Sequence, residues 1–286
     1  MSELRDWVAG ATIFTKLDIK DGYYLIRIKK GHEWKTAFKT GYGQYEYKVM
    51  PFGLVNTPAT FQRMMNKILR EFLDQGVVVD LDEILLYFRT HAEHVTMVKK
   101  VLSRLMEHQL VVSIKKSDFH VKAVEFLGYI VATDGVTRSK KKMDSIRKWK
   151  APRLVKEVQI FLGFANFHRR FIENFSKICK PITATLKGDK HKFSGGREQN
   201  IAFEKLKQQC TTAPILAHFN LERETVIETD ASDFALGAIL SQFQDKRLHP
   251  VAFHSRKLNS AERNYEIHDN ELLAILEAFI EWKHYF

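Results

Sequence analysis

Hydrophobic and polar residues alternate with two different periods in the first part of the chain, and the change of period predicts where strands give way to helices. The segments WKTAFKT and YEYKVM alternate with the two-residue period of half-buried strands. From Thr57 to about Gly76 the apolar residues instead recur at helical spacing, with Pro58 in the first turn. The face that this helix should bury consists of Phe61, Met64, Met65, Ile68, Leu69 and Phe72.

A hairpin and a second helix follow. The stretch VVVDLDEILLYF, residues 77 to 88, has two apolar arms around an acidic tip. The next helix, from about His91 to His108, carries Val95, Val98, Leu102 and Leu105 on one face. Two further strands are expected around residues 111–114 and 125–131. This order of elements predicts an α+β unit, with a sheet covered by helices on one face.

The pattern changes twice in the rest of the chain. Residues 136 to about 197 contain short basic helices without strand-like alternation. From about residue 199, a helix leads into the strand-like segments TVIETDAS, LGAILSQ and HPVAFHS, and a long helix starts near His268. That last helix is expected to bury Leu272, Ile275, Leu276, Phe279 and Trp282. Its apolar pattern is still running at Phe286, which predicts a truncated last domain.

Composition and charge favour a globular protein that binds a polyanion. The 286 residues are 45% hydrophobic and carry a formal net charge of +11, so nucleic acid is a more suitable partner than a membrane. The two cysteines exclude a disulfide framework. No apolar run approaches the ~18 residues of a membrane helix, and the start lacks a signal peptide. The sequence therefore predicts an intracellular protein, in the nucleus or cytoplasm, and leaves its oligomeric state unknown.

Three carboxylates, Asp80, Asp82 and Glu83, crowd the acidic hairpin. One interpretation is an exposed hairpin tip. The other is a metal site, because clustered carboxylates raise one another's pKa unless a cation neutralises them. Asp18 ends an apolar strand and can converge with Asp82 if the two strands are neighbours, as in sites that hold two Mg²⁺ ions for phosphoryl transfer. Taken alone, Asp18 also fits a turn at a strand end.

Other charged residues also have two interpretations each. Asp230 ends a β-branched strand, and Glu271 lies in the first turn of the last helix, where an acid also complements the helix dipole. A basic cluster on the short helices consists of Lys140, Lys141, Lys142, Arg147, Lys148 and Lys150. This cluster could follow a phosphate backbone, or it could be a solvated helical face.

A series of motifs along the whole chain resembles one family. The motifs are FTKLDIKDGYYLIRIKKGHEWKTAFKT, YEYKVMPFGLVNTPATFQRMMN, the acidic hairpin, VEFLGYIV, VKEVQIFLGFANFHRRFI, AFEKLKQQCTTAPIL, TDASDFALGAILSQ and FHSRKLNSAERNYEIHDNELLAI. In this order they resemble the gypsy-type LTR retrotransposon polyprotein. The resemblance implies a reverse transcriptase palm with residual fingers at 1–132, built on a ferredoxin-like antiparallel sheet. It further implies a helical thumb, connection and linker at 133–197, and a truncated ribonuclease H-like α/β domain at 198–286.

The resemblance also implies a chemistry and its residues. The family polymerises DNA on an RNA or DNA template-primer from dNTPs, with Mg²⁺ or Mn²⁺ as cofactor. Asp18 and Asp82 would be metal ligands. Tyr23 resembles the residue that stacks under the incoming sugar and excludes a 2′-hydroxyl, and Phe52 and Gly53 would border the nucleotide.

The hairpin departs from the family's Tyr-x-Asp-Asp motif. Asp80 stands in the place of the tyrosine, and Glu83 takes the place of the second catalytic, metal-binding aspartate. The longer side chain of Glu83 moves its carboxylate by about 1.5 Å, more than a near-attack geometry tolerates. Asp80 adds negative charge near the expected phosphate backbone and removes an aromatic surface. Polymerase activity is therefore expected to be weak or absent.

The ribonuclease H-like region is expected to be inactive. Asp230 and Glu271 match the first two of the family's four metal-binding acids, and the other two would lie beyond Phe286. Three functional hypotheses follow for the chain. A working polymerase with nonstandard acids predicts metal-dependent primer extension, and an inactive or domesticated nucleic-acid-binding remnant predicts salt-sensitive binding without turnover. A decayed reading frame predicts a last domain that does not unfold cooperatively.

Overall fold

A computed structural model describes residues 7–186, 196–212 and 214–286. The side chains of Lys140 and Lys141 lie outside this description. The chain divides into two compact units, Met1–Thr133 and Asp134–Phe286. Within the described ranges, no helix is both long enough and apolar enough to cross a membrane.

The first unit is an α+β fold, as predicted. Its strands are β1 (Ile13–Asp18), β2 (Phe38–Thr40), β3 (Gly43–Tyr45), β4 (Val77–Asp80), β5 (Glu83–Phe88), β6 (Asp118–Val121), β7 (Ala123–Phe126) and β8 (Tyr129–Ala132), and its helices are α1 (Thr57–Ile68) and α2 (His91–Glu107). An antiparallel four-stranded sheet with the order β4-β5-β1-β6 forms the centre of the unit.

The two faces of this sheet bury different sets of apolar residues. Leu17 and Ile84 point to one face, where they pack with Phe61 and other apolar residues of α1 and α2. Phe14 and Leu85 point to the opposite face and pack with apolar residues of β7 and β8. Because successive residues of a strand point to opposite sides, helices cover one face of the sheet and the β7–β8 hairpin covers the other.

The predicted core face of α1 is confirmed, whereas two predicted strands differ from the structure. Phe61, Met65, Ile68, Leu69 and Phe72 are buried and Met64 is half-buried. The expected strand at residues 111–114 is instead irregular chain that hydrogen-bonds to residues 18–20 and continues into a 3₁₀ turn. The expected strand at residues 125–131 is the paired strands β7 and β8, because Leu127 (φ 51°) and Gly128 (φ 79°) reverse the chain between them.

His94 is a buried base in the first unit. It is fully buried on α2, and its Nε2 lies 2.8 Å from Thr15 Oγ1 of β1. Burial, followed by the nearby His120 and His91, lowers the pKa of His94 to about 4. In the unfolded chain His94 binds a proton near pH 6.5, whereas in the folded chain it binds one only near pH 4. Stability contributed by neutral His94 is therefore fully present above that pH and is lost as the pH falls towards 4.

We expect this titration to be measurable as a loss of stability in mild acid. Between pH 7 and pH 5 the natural chain should lose about 2 kcal/mol of unfolding free energy through His94. The unfolding free energy of the His94→Phe variant should fall by about 2 kcal/mol less over the same pH range, since phenylalanine does not bind a proton. Urea unfolding of both chains at the two pH values measures the difference, and equal losses in both chains would contradict the prediction.

The second unit combines a helical cluster with a small sheet. Its strands are β9 (Gly135–Arg138), β10 (Thr225–Ser232), β11 (Ala235–Gln244) and β12 (Arg247–Lys257), and its helices are α3 (Lys140–Arg147), α4 (Val155–Phe167), α5 (Phe175–Ala184), α6 (Arg197–Thr212) and α7 (Ile267–Glu281). Strands β10, β11 and β12 form an antiparallel sheet in that order, and α7 packs on β10 and β11. Arg256 of β12 donates hydrogen bonds to Glu262 and to Glu277 of α7.

The predicted buried stripe of α7 is wrong in four of its five residues. Trp282 is buried, but Leu272, Ile275, Leu276 and Phe279 are exposed. The face turned to the sheet instead carries the small residues Ala274 and Ala278, together with Asn270. Small side chains let the helix approach the strands closely, so the large apolar residues are left on its outer side.

Candidate active site

Strand register brings three carboxylates into one row across the sheet of the first unit. Asp18, the last residue of β1, lies directly opposite Glu83 of β5, and Glu83 lies directly opposite Asp80 of β4. Directly opposed residues point to the same face, with Cβ atoms about 5 Å apart. Asp18, Glu83 and Asp80 therefore project from the face that carries β7 and β8.

Asp82 lies in the turn that ends this row. Its carbonyl oxygen accepts a hydrogen bond of 2.8 Å from the amide of Ile19, immediately after Asp18. A backbone hydrogen bond thus brings the Asp82 segment next to the end of β1, but the residue directly opposite Asp18 is Glu83. The preceding turn residue, Leu81, has a positive φ of 53°, which is uncommon for an aliphatic side chain.

Gln62 of α1 holds the turn in this conformation. Its Oε1 accepts a hydrogen bond of 2.6 Å from the amide of Leu81, and its Nε2 donates to the carbonyl oxygen of Val79 at 3.0 Å. The amide side chain thereby satisfies backbone groups on both sides of Asp80. The sequence gives no sign of this function, because Gln62 looks like an ordinary polar position of an amphipathic helix.

Replacing Gln62 by leucine is expected to lower the unfolding free energy by about 2 kcal/mol, because both backbone groups lose their partner. Asn66, one turn along α1, also bonds to Gln62 but not to the hairpin. The Asn66→Ala control should therefore cost less than about 0.5 kcal/mol. Urea unfolding measures both, and a Gln62→Leu chain as stable as the control would refute this function of Gln62.

Lysine side chains and a backbone amide hold two of the carboxylates. Lys16 Nζ lies 3.6 Å from Glu83 Oε1, and the amide of Leu127 donates to Glu83 Oε2 at 3.3 Å. The buried Asp18 has Lys116 Nζ at 3.6 Å from its Oδ1. Among the described residues, no group of three histidine, cysteine, aspartate or glutamate side chains is arranged to hold a metal ion. Asp18 and Glu83 thus each have a lysine ammonium within 4 Å of a carboxylate oxygen.

The remaining acids of the hairpin, Asp80 and Asp82, affect the pKa values of neighbouring groups. Partial burial and, next, the charge of Asp82 raise the pKa of Asp80. Burial also raises the pKa of Tyr23, and the charges of Asp82 and Asp80 raise it further. The Tyr23 hydroxyl therefore lies within electrostatic reach of the hairpin. Asp80 introduces this repulsion at the place where the resemblance implies a neutral tyrosine.

An aromatic cluster surrounds Tyr23 on the helix-covered side of the sheet. The ring of Tyr23 lies 4.7 Å from that of Phe52 and 4.9 Å from that of Phe61, measured between centroids. Phe61 is fully buried, whereas Phe52 is exposed. Gly22 lets the chain pass over Phe61, since a Cβ at that position would come within 2.5 Å of the ring. Gly53 has a φ of +94°, which favours glycine.

The sequence-predicted residues of the second unit lie on β10, on α7 and on the basic segment around α3. Asp230 is exposed on β10, opposite Gly237, and Glu271 is half-buried on α7. In the predicted basic cluster, Arg147, Lys148 and Lys150 are exposed, although Arg147 forms an ion pair of 3.3 Å with Asp144. Lys142 packs over the ring of Phe167 at 5.4 Å, while Lys140 and Lys141 fall outside the described side chains.

Two family models match the chain. Residues 4–131 match "Reverse transcriptase (RNA-dependent DNA polymerase)". Residues 196–286 match "RNase H-like domain found in reverse transcriptase". The matched order is that of a polymerase domain followed by a ribonuclease H-like domain.

Curated relatives and solved structures point the same way. The chain is 40% identical over 279 residues to the transposon Tf2-3 and Tf2-4 polyproteins of Schizosaccharomyces pombe, a match that covers 97% of the chain. It spans 21% of the length of these relatives.

The foamy viral protease-reverse transcriptase has a similar structure in two complexes. The complex with double-stranded DNA has a TM-score of 0.85 and 25% identity, and covers 99% of this chain and 50% of that one. The complex with an RNA/DNA hybrid has a TM-score of 0.80 and 26% identity, over 97% and 38%. The chain therefore contains a reverse transcriptase domain followed by a ribonuclease H-like domain, and it is similar to a part of the Tf2 retrotransposon polyproteins.

Proposed function

We propose that the chain is the polymerase segment of a gypsy-type LTR retrotransposon and that it binds an RNA or DNA template-primer. Nucleotide addition at Asp18 and Asp82 is proposed to be strongly impaired in this copy. The observation that carries this proposal is the row formed by Asp18, Glu83 and Asp80 across the sheet. Such substrates place the protein's action inside the cell, in the nucleus or the cytoplasm.

Template-primer binding is supported by charge and by the relatives. The formal net charge of +11 favours a polyanionic ligand, and the similar foamy viral enzyme is described in complex with DNA and with an RNA/DNA hybrid. Exposed Lys148 and Lys150 are proposed phosphate contacts, together with Lys140, Lys141, Lys142 and Arg147.

A nucleotide site is supported by the aromatic cluster. Tyr23 is fixed from below by Phe61, and Phe52 packs against its ring from the solvent side. A ring supported in this way is suited to meet the sugar of an incoming dNTP and to exclude a 2′-hydroxyl. Gly53, which directly follows Phe52, is proposed to border the nucleotide as well.

Impaired chemistry is supported by the surroundings of the acids. Reverse transcriptases generally use divalent metal ions, for which Mg²⁺ or Mn²⁺ is proposed here. Glu83 is engaged by Lys16 and the Leu127 amide, and burial, followed by repulsion from Asp82, raises the pKa of Asp80. Reacting groups must be held to well under 1 Å for efficient transfer, and the longer, lysine-paired Glu83 is proposed to fall outside that tolerance.

The ribonuclease H-like domain is proposed to contribute to nucleic-acid binding. Asp230 and Glu271 are its proposed metal ligands by resemblance. The alternative for the whole chain is a catalytically inactive nucleic-acid-binding remnant. Both versions require binding, and they differ in whether any nucleotide is added.

Binding is tested by fluorescence anisotropy of a labelled RNA/DNA template-primer over a salt series. The logarithm of the binding constant should fall linearly with the logarithm of the salt concentration. The double variant Lys148→Glu, Lys150→Glu should weaken binding. It should also reduce the slope of the salt dependence by the amount that corresponds to about one or two lost phosphate contacts. The control pair Lys246→Glu with Arg247→Glu, in the β11–β12 turn, changes charge equally and should have the smaller effect. Salt-insensitive binding, or no binding, would overturn the proposal.

A further inference from the structure

Lys16 is a mostly enclosed cation beside the row of acids. It lies on β1 two residues before Asp18, so both side chains project from the same face of the sheet. The Lys16 side chain is 13% exposed, and its Nζ lies 3.6 Å from Glu83 Oε1. An ammonium that is largely removed from water needs such a partner, because an unpaired charge in that position is costly. The ion pair therefore holds Lys16 and Glu83 to each other.

This ion pair engages the carboxylate that lies directly opposite Asp18. The amide of Leu127 donates to Glu83 Oε2 at 3.3 Å, so each oxygen of Glu83 already has a positively polarised partner. Two carboxylates on directly opposed residues are close enough to share one divalent cation, which prefers oxygen ligands. A metal ion that binds to Asp18 and Glu83 must therefore displace the Lys16 ammonium or stay close to a like charge.

Lys116, the other lysine at the acids, is a weaker competitor. Its Nζ lies 3.6 Å from Asp18 Oδ1, but its side chain is 70% exposed. An exposed ammonium can move from a carboxylate into water at little cost, and salt screens such a pair. Lys16 has much less contact with water. Loss of Lys16 should therefore affect metal binding more strongly than loss of Lys116.

We propose that Lys16 competes with divalent metal ions for Glu83 and thereby lowers the affinity of the chain for Mg²⁺ and Mn²⁺. Lys16 is then a positioning residue, which acts on the metal through the Glu83 carboxylate. The inference rests on the proposed function, since it takes Asp18 and Glu83 as metal ligands. It assigns part of the proposed impairment to a residue of β1, outside the acidic hairpin.

Binding of Mn²⁺ to the full chain, without nucleic acid or nucleotide, tests the proposal. Electron paramagnetic resonance of free Mn²⁺ during a titration gives the dissociation constant. Lys16→Met removes the charge and should bind Mn²⁺ at least about tenfold more tightly than the natural chain. Lys16→Gln should show a similar gain, and its side-chain amide can still donate a hydrogen bond to Glu83, which favours folding. Lys16→Arg keeps the cation and should show no gain.

Matched controls show whether the gain depends on Glu83. Lys39→Met removes an exposed lysine of β2, and Lys116→Met removes the exposed partner of Asp18. Each should change the dissociation constant by less than about threefold. Adding Glu83→Gln to Lys16→Met should abolish the gain, because it removes the carboxylate that the metal would take. Circular dichroism of each variant shows that it is folded.

A dissociation constant that is unchanged in both Lys16→Met and Lys16→Gln would overturn the proposal. A gain that persists after Glu83→Gln would overturn it as well. Template-primer binding by the natural chain, measured separately by fluorescence anisotropy, distinguishes this failure from a failure of the proposed function. A chain that binds the template-primer in a salt-sensitive manner but shows no Mn²⁺ gain refutes the competition alone, whereas a chain that does not bind the template-primer refutes the proposed function.

Discussion

A chain that carries both Asp80→Tyr and Glu83→Asp is expected to extend a primer at least ~100-fold faster than the natural chain. The first change removes the charge of Asp80, which contributes after burial and Asp82 to the raised pKa of Tyr23, and it restores an aromatic surface. The second change shortens the carboxylate abreast of Asp18 and withdraws it from Lys16 and the Leu127 amide. Single-nucleotide incorporation with Mg²⁺ and with Mn²⁺ measures the gain.

Three further chains separate the two causes. Each single variant should gain less than the double variant, since position 80 acts through charge and stacking and position 83 acts through carboxylate placement. Asp82→Asn added to the double variant should abolish the gain, because it removes the proposed ligand in the turn. A double variant no more active than the natural chain would show that these two residues do not limit the reaction.

Replacing Phe61 by alanine is expected to destabilise the first unit by about 3 to 5 kcal/mol. Phe61 is fully buried, and its ring fills the space above Gly22 and supports Tyr23. Its loss therefore opens a cavity directly beneath the proposed nucleotide site. Phe61→Leu, which keeps most of the volume, should cost less than half as much. Urea unfolding measures both, and a loss below about 1 kcal/mol for alanine would contradict this packing.

Local patterns in the sequence were enough to predict the elements that position the site. The helical face of α1 and the hairpin of β4 and β5 follow from apolar spacing and from an acidic turn within a few residues. The meeting of Asp18 with the hairpin required only that two strands be neighbours. Such features depend on contacts close in sequence or on one pairing of strands.

The details that bear on chemistry depend on register and on distant segments. Which acid lies abreast of Asp18 changes with a shift of one residue in strand pairing. The bonds from Glu83 to Leu127 and from Leu81 to Gln62 join residues far apart in the chain. The outer stripe of α7 was assigned to the core because periodicity identifies an apolar side without telling which side faces the sheet.

Nucleotide incorporation by the natural chain, measured in the same sample as template-primer binding, is the most direct test of the proposed function. The template-primer should bind in a salt-sensitive manner, while incorporation with Mg²⁺ or Mn²⁺ should stay at least ~100-fold below that of the Asp80→Tyr, Glu83→Asp chain and close to that of an Asp18→Asn, Asp82→Asn control. Robust incorporation by the natural chain that disappears in this control would contradict the proposed impairment and identify a working polymerase.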